Sequence, residues 1–128
     1  AWIGDPEEAH RYFIRSCSVD LMNTGKAISG GTFIGGIHTA ACGVAWPIVV
    51  SGFAGVTVND RGLSVDPHLP SGWTRVRFPF VYRGRRIAVT VAARGEVSVE
   101  AADGNPGPIE LTVRGRELRV DPGTTQAV

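Results

Sequence analysis

Arg75-Val76-Arg77-Phe78-Pro79-Phe80-Val81-Tyr82-Arg83-Gly84-Arg85-Arg86-Ile87-Ala88-Val89-Thr90-Val91 decides the fold class. Val76, Phe78, Phe80 and Tyr82 alternate with Arg75, Arg77, Pro79 and Val81, which gives a strand with one apolar face. The Arg83-Gly84 turn leads into a second alternating run, Ile87, Val89 and Val91. Thr112-Val113-Arg114-Gly115-Arg116-Glu117-Leu118-Arg119-Val120 repeats the same arrangement, read as a second hairpin using the same turn. Upstream, Val56–Val58 and Leu63–Val65 flank Asn59-Asp60-Arg61-Gly62, another hairpin signal, and Val97/Val99 adds a further strand. Seven or eight short strands at this spacing predict an antiparallel β-sandwich over residues 55–128.

Residues 1–54 read differently. Asp5-Pro6-Glu7-Glu8 is a helix start: Asp5 caps free N–H groups, Pro6 suits the first helical position and Glu8 completes a capping box. Ala9, Tyr12, Phe13 and Cys17 then share a face, predicting a helix from about Pro6 to Val19. A glycine-rich loop covers Met22–Gly36. Thr39–Phe53 follows as a helix apolar on all sides, including Trp46, and such a helix must be surrounded by protein. Pro47 should kink it, and Gly52 and Gly55 sit where it should end. One other helix cannot cover it, so its surroundings are expected to lie outside these 128 residues. A chain starting on Ala1 inside such a pattern reads as part of something longer.

Composition narrows the function classes. Thirteen Lys+Arg against twelve Asp+Glu leave a net charge of +1, which gives no global electrostatic case for nucleic acid or an anionic membrane. With 43% hydrophobic residues the chain is no disordered tail. The run Ile37–Ala54 is at the minimum spanning length and carries His38, Pro47 and Ser51, so it reads as buried helix rather than membrane span. Two cysteines, Cys17 and Cys42, are too few for a disulfide-stapled fold; buried thiols and a cytoplasmic setting are expected. The basic run Arg75–Arg86 places its arginines and aromatics on opposite strand faces, which predicts a solvated sheet face over an aromatic core rather than a nucleic-acid platform.

Metal-ligand spacing is absent among His10, His38 and His68, and no nucleophile motif or phosphate-binding loop with Lys occurs. The most suggestive site is Gly35-Gly36-Ile37-His38-Thr39-Ala40-Ala41. There a glycine-rich loop enters a helix N-terminus, whose free N–H groups favour an anion or sugar hydroxyls. A histidine that caps its own helix and packs is the competing reading. Asp20 is the one acid placed near it in sequence, and no Glu occurs between Glu8 and Glu96.

Gly35-Gly36-Ile37-His38-Thr39-Ala40-Ala41-Cys42-Gly43-Val44-Ala45-Trp46, followed by Gly52-Phe53-Ala54-Gly55-Val56, by Gly62-Leu63-Ser64-Val65-Asp66-Pro67-His68-Leu69-Pro70-Ser71-Gly72-Trp73, and by Phe78 and Tyr82-Arg83-Gly84, resembles the C-terminal end of glycoside hydrolase family 65. That family includes maltose, trehalose and kojibiose phosphorylases and related α-glucoside hydrolases. The resemblance implies that residues 1–54 supply the last two helices of an (α/α) barrel and residues 55–128 a C-terminal β-sandwich. It implies inverting cleavage of an α-linked disaccharide. The general-acid Glu would lie upstream, leaving no catalytic residue in this chain. Gly36, His38 and Thr39 would bind substrate or phosphate. Ala40 and Ala41 stand where the phosphorylase pattern has Gly and Ser, which leans towards a hydrolase. No cofactor or metal is implied, only inorganic phosphate as co-substrate if the enzyme is a phosphorylase. The implied partners are the rest of the barrel, the disaccharide and, for the full-length enzyme, a second copy as homodimer; neither nucleic acid nor membrane is among them. The alternative from another class is a stand-alone carbohydrate-binding β-sandwich, for which Trp46 and Trp73 are the sugar-stacking candidates outside the sandwich interior.

Overall fold

The computed structural model describes residues 4–18 and 39–128. The first helix, α1 (Pro6–Ser18), starts where the sequence places it. Asp5 Oδ1 accepts the Glu8 N–H at 2.8 Å, which satisfies one of the free donors of the first turn. Arg11 reaches back one turn to pair with Glu8, and that carboxylate raises the Arg11 pKa.

The expected helix Thr39–Phe53 is two elements. The α-helix α2 (Thr39–Pro47) passes directly into a π-helical stretch, Ile48–Phe53. Pro47 has no N–H to donate and its ring crowds the carbonyl one turn back, so the register changes at the following residue. The wider turn ends with the Ala54 N–H donating to the Val49 carbonyl at 2.9 Å. Gly55 then turns the chain with φ +68° into the first strand.

Eight strands follow: β1 (Val56–Asn59), β2 (Gly62–Val65), β3 (Arg75–Tyr82), β4 (Arg85–Ala92), β5 (Val97–Ala101), β6 (Ile109–Val113), β7 (Arg116–Val120) and β8 (Thr125–Ala127). They form two four-stranded sheets, ordered β1-β2-β6-β7 and β3-β4-β5-β8. The hairpin β1–β2 closes on the pair Asn59↔Gly62, and Asn59 Oδ1 accepts the Arg61 N–H at 2.9 Å. Arg83 and Gly84 link β3 to β4 with φ of 47° and 73°, and Arg114 and Gly115 link β6 to β7 with 48° and 77°. Positive φ at both central residues suits the right-handed twist of the flanking strands. The two Arg-Gly echoes are therefore one turn used twice.

The sandwich is antiparallel with one exception. β2 and β6 pair in parallel, Ser64↔Thr112 and Val65↔Val113. Everything from Asp66 to Pro108, including β3–β5, intervenes, and a long excursion of that kind can return a strand in the same direction. Between the sheets lie Leu63, Val65, Phe78, Val89, Val91, Val97, Val99, Leu111, Val113 and Val120, all buried. Phe78 is buried while its flanking Arg77 and Pro79 are exposed, and Val76, Phe80 and Tyr82 pack partly buried on the same side. The inward face is the one the alternation predicts.

The helices are largely uncovered among the described residues. No residue of α1 is buried, and Val44 and Trp46 of α2 are 47% and 51% exposed. Cys17 and Cys42 are exposed, not buried thiols. Both observations have one cause: among the described residues, only the sandwich end of the helical pair has anything packed against it. No helix among the described residues is long and apolar enough to cross a membrane.

Candidate functional site

Two hydrogen bonds to the segment between β2 and β3, and a cluster of rings around them, hold α1 in place. Glu7 Oε1 accepts the Ser71 N–H at 2.5 Å. One helical turn on, His10 Nε2 accepts from Trp73 Nε1 at 3.1 Å. An indole N–H only donates, so this bond requires a neutral His10 with its proton on Nδ1. Around it, the rings of His10, Phe13, Phe53 and Trp73 meet at centroid separations of 4.9 to 6.3 Å, mostly edge to face. Phe53, at the end of the π-helical stretch, is almost fully buried here. Sequence periodicity placed Phe13 on the apolar face of α1, but not the His10–Trp73 bond, which joins residues 63 positions apart.

The same segment clamps the junction. Asp66 N–H donates to the Gly55 carbonyl at 3.1 Å and His68 N–H to the Phe53 carbonyl at 2.8 Å. His68 is exposed and bonds through Nδ1 to the Asp66 carbonyl. It is tied to the junction, and no group of three or more metal-ligating side chains occurs among the described residues.

Of the predicted site residues, Gly36 and His38 lie outside the described residues, as does Asp20. Thr39 is the first residue of α2 and is exposed. α2 enters the sandwich through its C-terminal end, with Trp46 edge-on to Phe78 at 6.0 Å. Thr39 therefore stands at the remote end, roughly 12 Å along the helix axis from Pro47.

Neither tryptophan forms a sugar-stacking platform on the sandwich. Trp73 is consumed by the α1 clamp. Trp46 is exposed, but on the helix, where it shares the helical region with the exposed side chains of Tyr12, Ile14 and Val44. Arg75 and Arg77 are exposed on the outer face of β3, with Arg77 paired to Glu100 at 3.0 Å. What sequence reasoning missed is that Arg83 and Arg85, after β3, come beside Arg61, after β1, around a surface cavity. Both segments read as turns, but they belong to different sheets, and only the packing of one sheet on the other brings the two turns together.

Comparison with known proteins accounts for both halves of the chain. The family description "Glycosyl hydrolase family 65, C-terminal domain" matches residues 56–120. A 1,2-alpha-glucosylglycerol phosphorylase of Bacillus selenitireducens is 38% identical over 121 residues, 94% of this chain and 16% of that protein. An alpha,alpha-trehalose phosphorylase of Geobacillus stearothermophilus is 36% identical over 121 residues, again 94% of this chain and 15% of the relative. A solved chain assigned as a kojibiose phosphorylase from the human microbiome shares the fold with a TM-score of 0.61, at 20% identity, covering 73% of this chain and 13% of that one. This chain thus spans about one-sixth of the length of the curated relatives it matches. It belongs to glycosyl hydrolase family 65, with that family's C-terminal domain at residues 56–120.

Proposed function

We propose that these residues form the C-terminal part of an inverting enzyme that cleaves α-linked glucosides, with 1–54 closing the helical catalytic barrel and 55–128 as the β-sandwich behind it. The observation that carries this reading is the reach of the similarity. It covers 94% of the chain in phosphorylases several times longer, so it runs from the sandwich well into the helices. The exposed apolar side chains Tyr12, Ile14, Val44 and Trp46 support it, because a helical pair in a barrel needs cover on the sides the sandwich leaves open.

In this reading Gly36, His38 and Thr39 face the substrate from the start of α2. Backbone N–H groups, the His38 imidazole and the Thr39 hydroxyl converge on the oxygen of the attacking phosphate or water, while an acid upstream protonates the leaving oxygen. The relatives act by name as phosphorylases. Ala40 and Ala41 remove the hydroxyl expected for tight phosphate binding and leave Thr39 to supply one.

Two measurements test this. The 128-residue chain alone should not turn over maltose, trehalose, kojibiose or nigerose with or without phosphate, since the acid is missing. In the longer protein, His38→Ala should lower kcat/KM by roughly tenfold to a thousandfold, about 1.4–4 kcal/mol, at unchanged Tm. Turnover by the chain alone, or a lowered Tm with unchanged kcat/KM, overturns the reading of the chain or of the site respectively.

A further inference from the structure

We infer that the sandwich carries a phosphate-binding site of its own, in the cavity where the Asp60-Arg61 and Arg83-Gly84 turns meet the start of β6. This inference does not rest on the proposed catalytic reading. The cavity measures about 340 Å³ and its lining includes Arg61, Gly62, Tyr82, Arg83, Arg85 and Glu110. That size suits a small ligand.

Its origin is a break in the sheet. β2 and β6 pair only through Ser64↔Thr112 and Val65↔Val113, so the strands part towards Gly62 and Glu110. A neighbouring groove, which shares Arg61, Gly62 and Glu110, continues the same opening. The Tyr82 hydroxyl lies over Gly62, 3.8 Å from where a Cβ would stand, and offers a donor at the rim.

Charge decides the ligand class. Three arginines, Arg61, Arg83 and Arg85, line the cavity with one acid, Glu110, which pairs outside it, its Oε1 3.3 Å from Arg119 Nη1. Arg83 stacks on the Tyr82 ring at 5.1 Å, which orders its planar head. Arg85 donates through Nη1 to the Arg83 carbonyl at 3.3 Å. Its Nε is buried with no hydrogen-bond partner among the described residues. An unmet charged N–H is costly, and the Nε–Nη2 edge is one of the two sides by which guanidinium pairs bidentately with oxyanions. Several arginine forks around one small space match the tetrahedral oxygens of a phosphate group better than the single plane of a carboxylate.

The test is NMR titration of the 128-residue chain at constant ionic strength, following the Arg85 Nε–Hε signal and the Gly62 and Glu110 amides. Inorganic phosphate should shift all three saturably, with Kd about 1 mM or tighter. Glucose 1-phosphate should bind at least as well: equal affinity means that the phosphate alone is read, tighter affinity that the sugar is also touched. Paired Arg61→Gln and Arg83→Gln should weaken binding by about tenfold or more, whereas Arg75→Gln, outside the cavity, should leave it within about twofold. The same spectra report whether each variant is folded, and Arg85→Gln is a second route if the paired variant is not. Absence of saturation, equal weakening by Arg75→Gln, or tighter binding of citrate than of phosphate each overturns the assignment.

Discussion

Gly55 joins the helices to the sandwich, and replacing it by alanine tests how that junction is built. Its φ is +68°, and a Cβ there would lie 1.8 Å from the Asp66 carbonyl oxygen and 2.3 Å from its carbon. The left-handed backbone costs an alanine roughly 1–2 kcal/mol. The clash falls on backbone, which cannot swing aside, so the strands must shift at a further ~1–3 kcal/mol. That shift also weakens the Asp66 N–H bond to the Gly55 carbonyl, about 0.5–1.5 kcal/mol. The sum for Gly55→Ala is roughly 2.5–6.5 kcal/mol. Gly84 supplies the control. Its φ is +73°, but nothing lies within 4 Å of its added Cβ, so Gly84→Ala should cost only the backbone share, about 1–2 kcal/mol. Any entropy gained by stiffening the unfolded chain is common to both variants. Urea unfolding of the 128-residue chain measures the difference. A gap below about 0.5 kcal/mol between the two variants would refute the steric account of the junction.

Phe78→Ala should destabilise the chain by roughly 3–5 kcal/mol, read from the same urea curves, because the ring is buried between the sheets and carries the edge of Trp46. A loss under about 1 kcal/mol would place Phe78 outside the core. His10→Ala should cost about 1–3 kcal/mol through the Trp73 bond and two ring contacts. It should also red-shift the tryptophan emission as Trp73 becomes wet, and unshifted emission counts against the clamp. Cys17 should react with a thiol reagent in the native chain nearly as fast as in urea, since it is exposed; strong protection would contradict that placement.

Local chemistry made the β-half legible. Val76, Phe78, Phe80 and Tyr82 face inward because period-two alternation leaves one side to bury, and the Arg-Gly turns are tight because Gly84 and Gly115 accept positive φ. Asp5 was legible as a cap for the same local reason. The parallel pairing of β2 with β6 was not, because it depends on how β3–β5 fold between them. Nor was the π-helical stretch, since Pro47 announces a disturbance but not its form. The cysteines were misread as buried because a helix apolar on all sides states a need for cover, whereas burial is fixed by the neighbours it has. Of the candidate site, only Thr39 lies among the described residues. The arginine cavity escaped sequence reading because Arg61 and Arg85 belong to different sheets and meet only where the two sheets pack.

The division of labour between the two halves follows from where the strong contacts lie. The sandwich closes its core between its own sheets, with Val65, Val91, Val97, Val99 and Val113 fully buried and the helices supplying little of it. Among the described residues, the helices are held to it by Glu7, His10 and Phe13 on one side and the buried Phe53 on the other. Anchoring of that kind fixes the direction of α2 at its C-terminal end. A base that is stable by itself can hold a helix against a larger assembly without being remodelled by it. On the proposed reading, the sandwich therefore acts on catalysis through geometry alone, by setting the angle at which α2 presents Thr39 and the residues before it. Weakening the clamp at His10 should then disturb substrate binding at the far end of α2 as well as stability, even though His10 lies in the clamp at the opposite end of the helical pair.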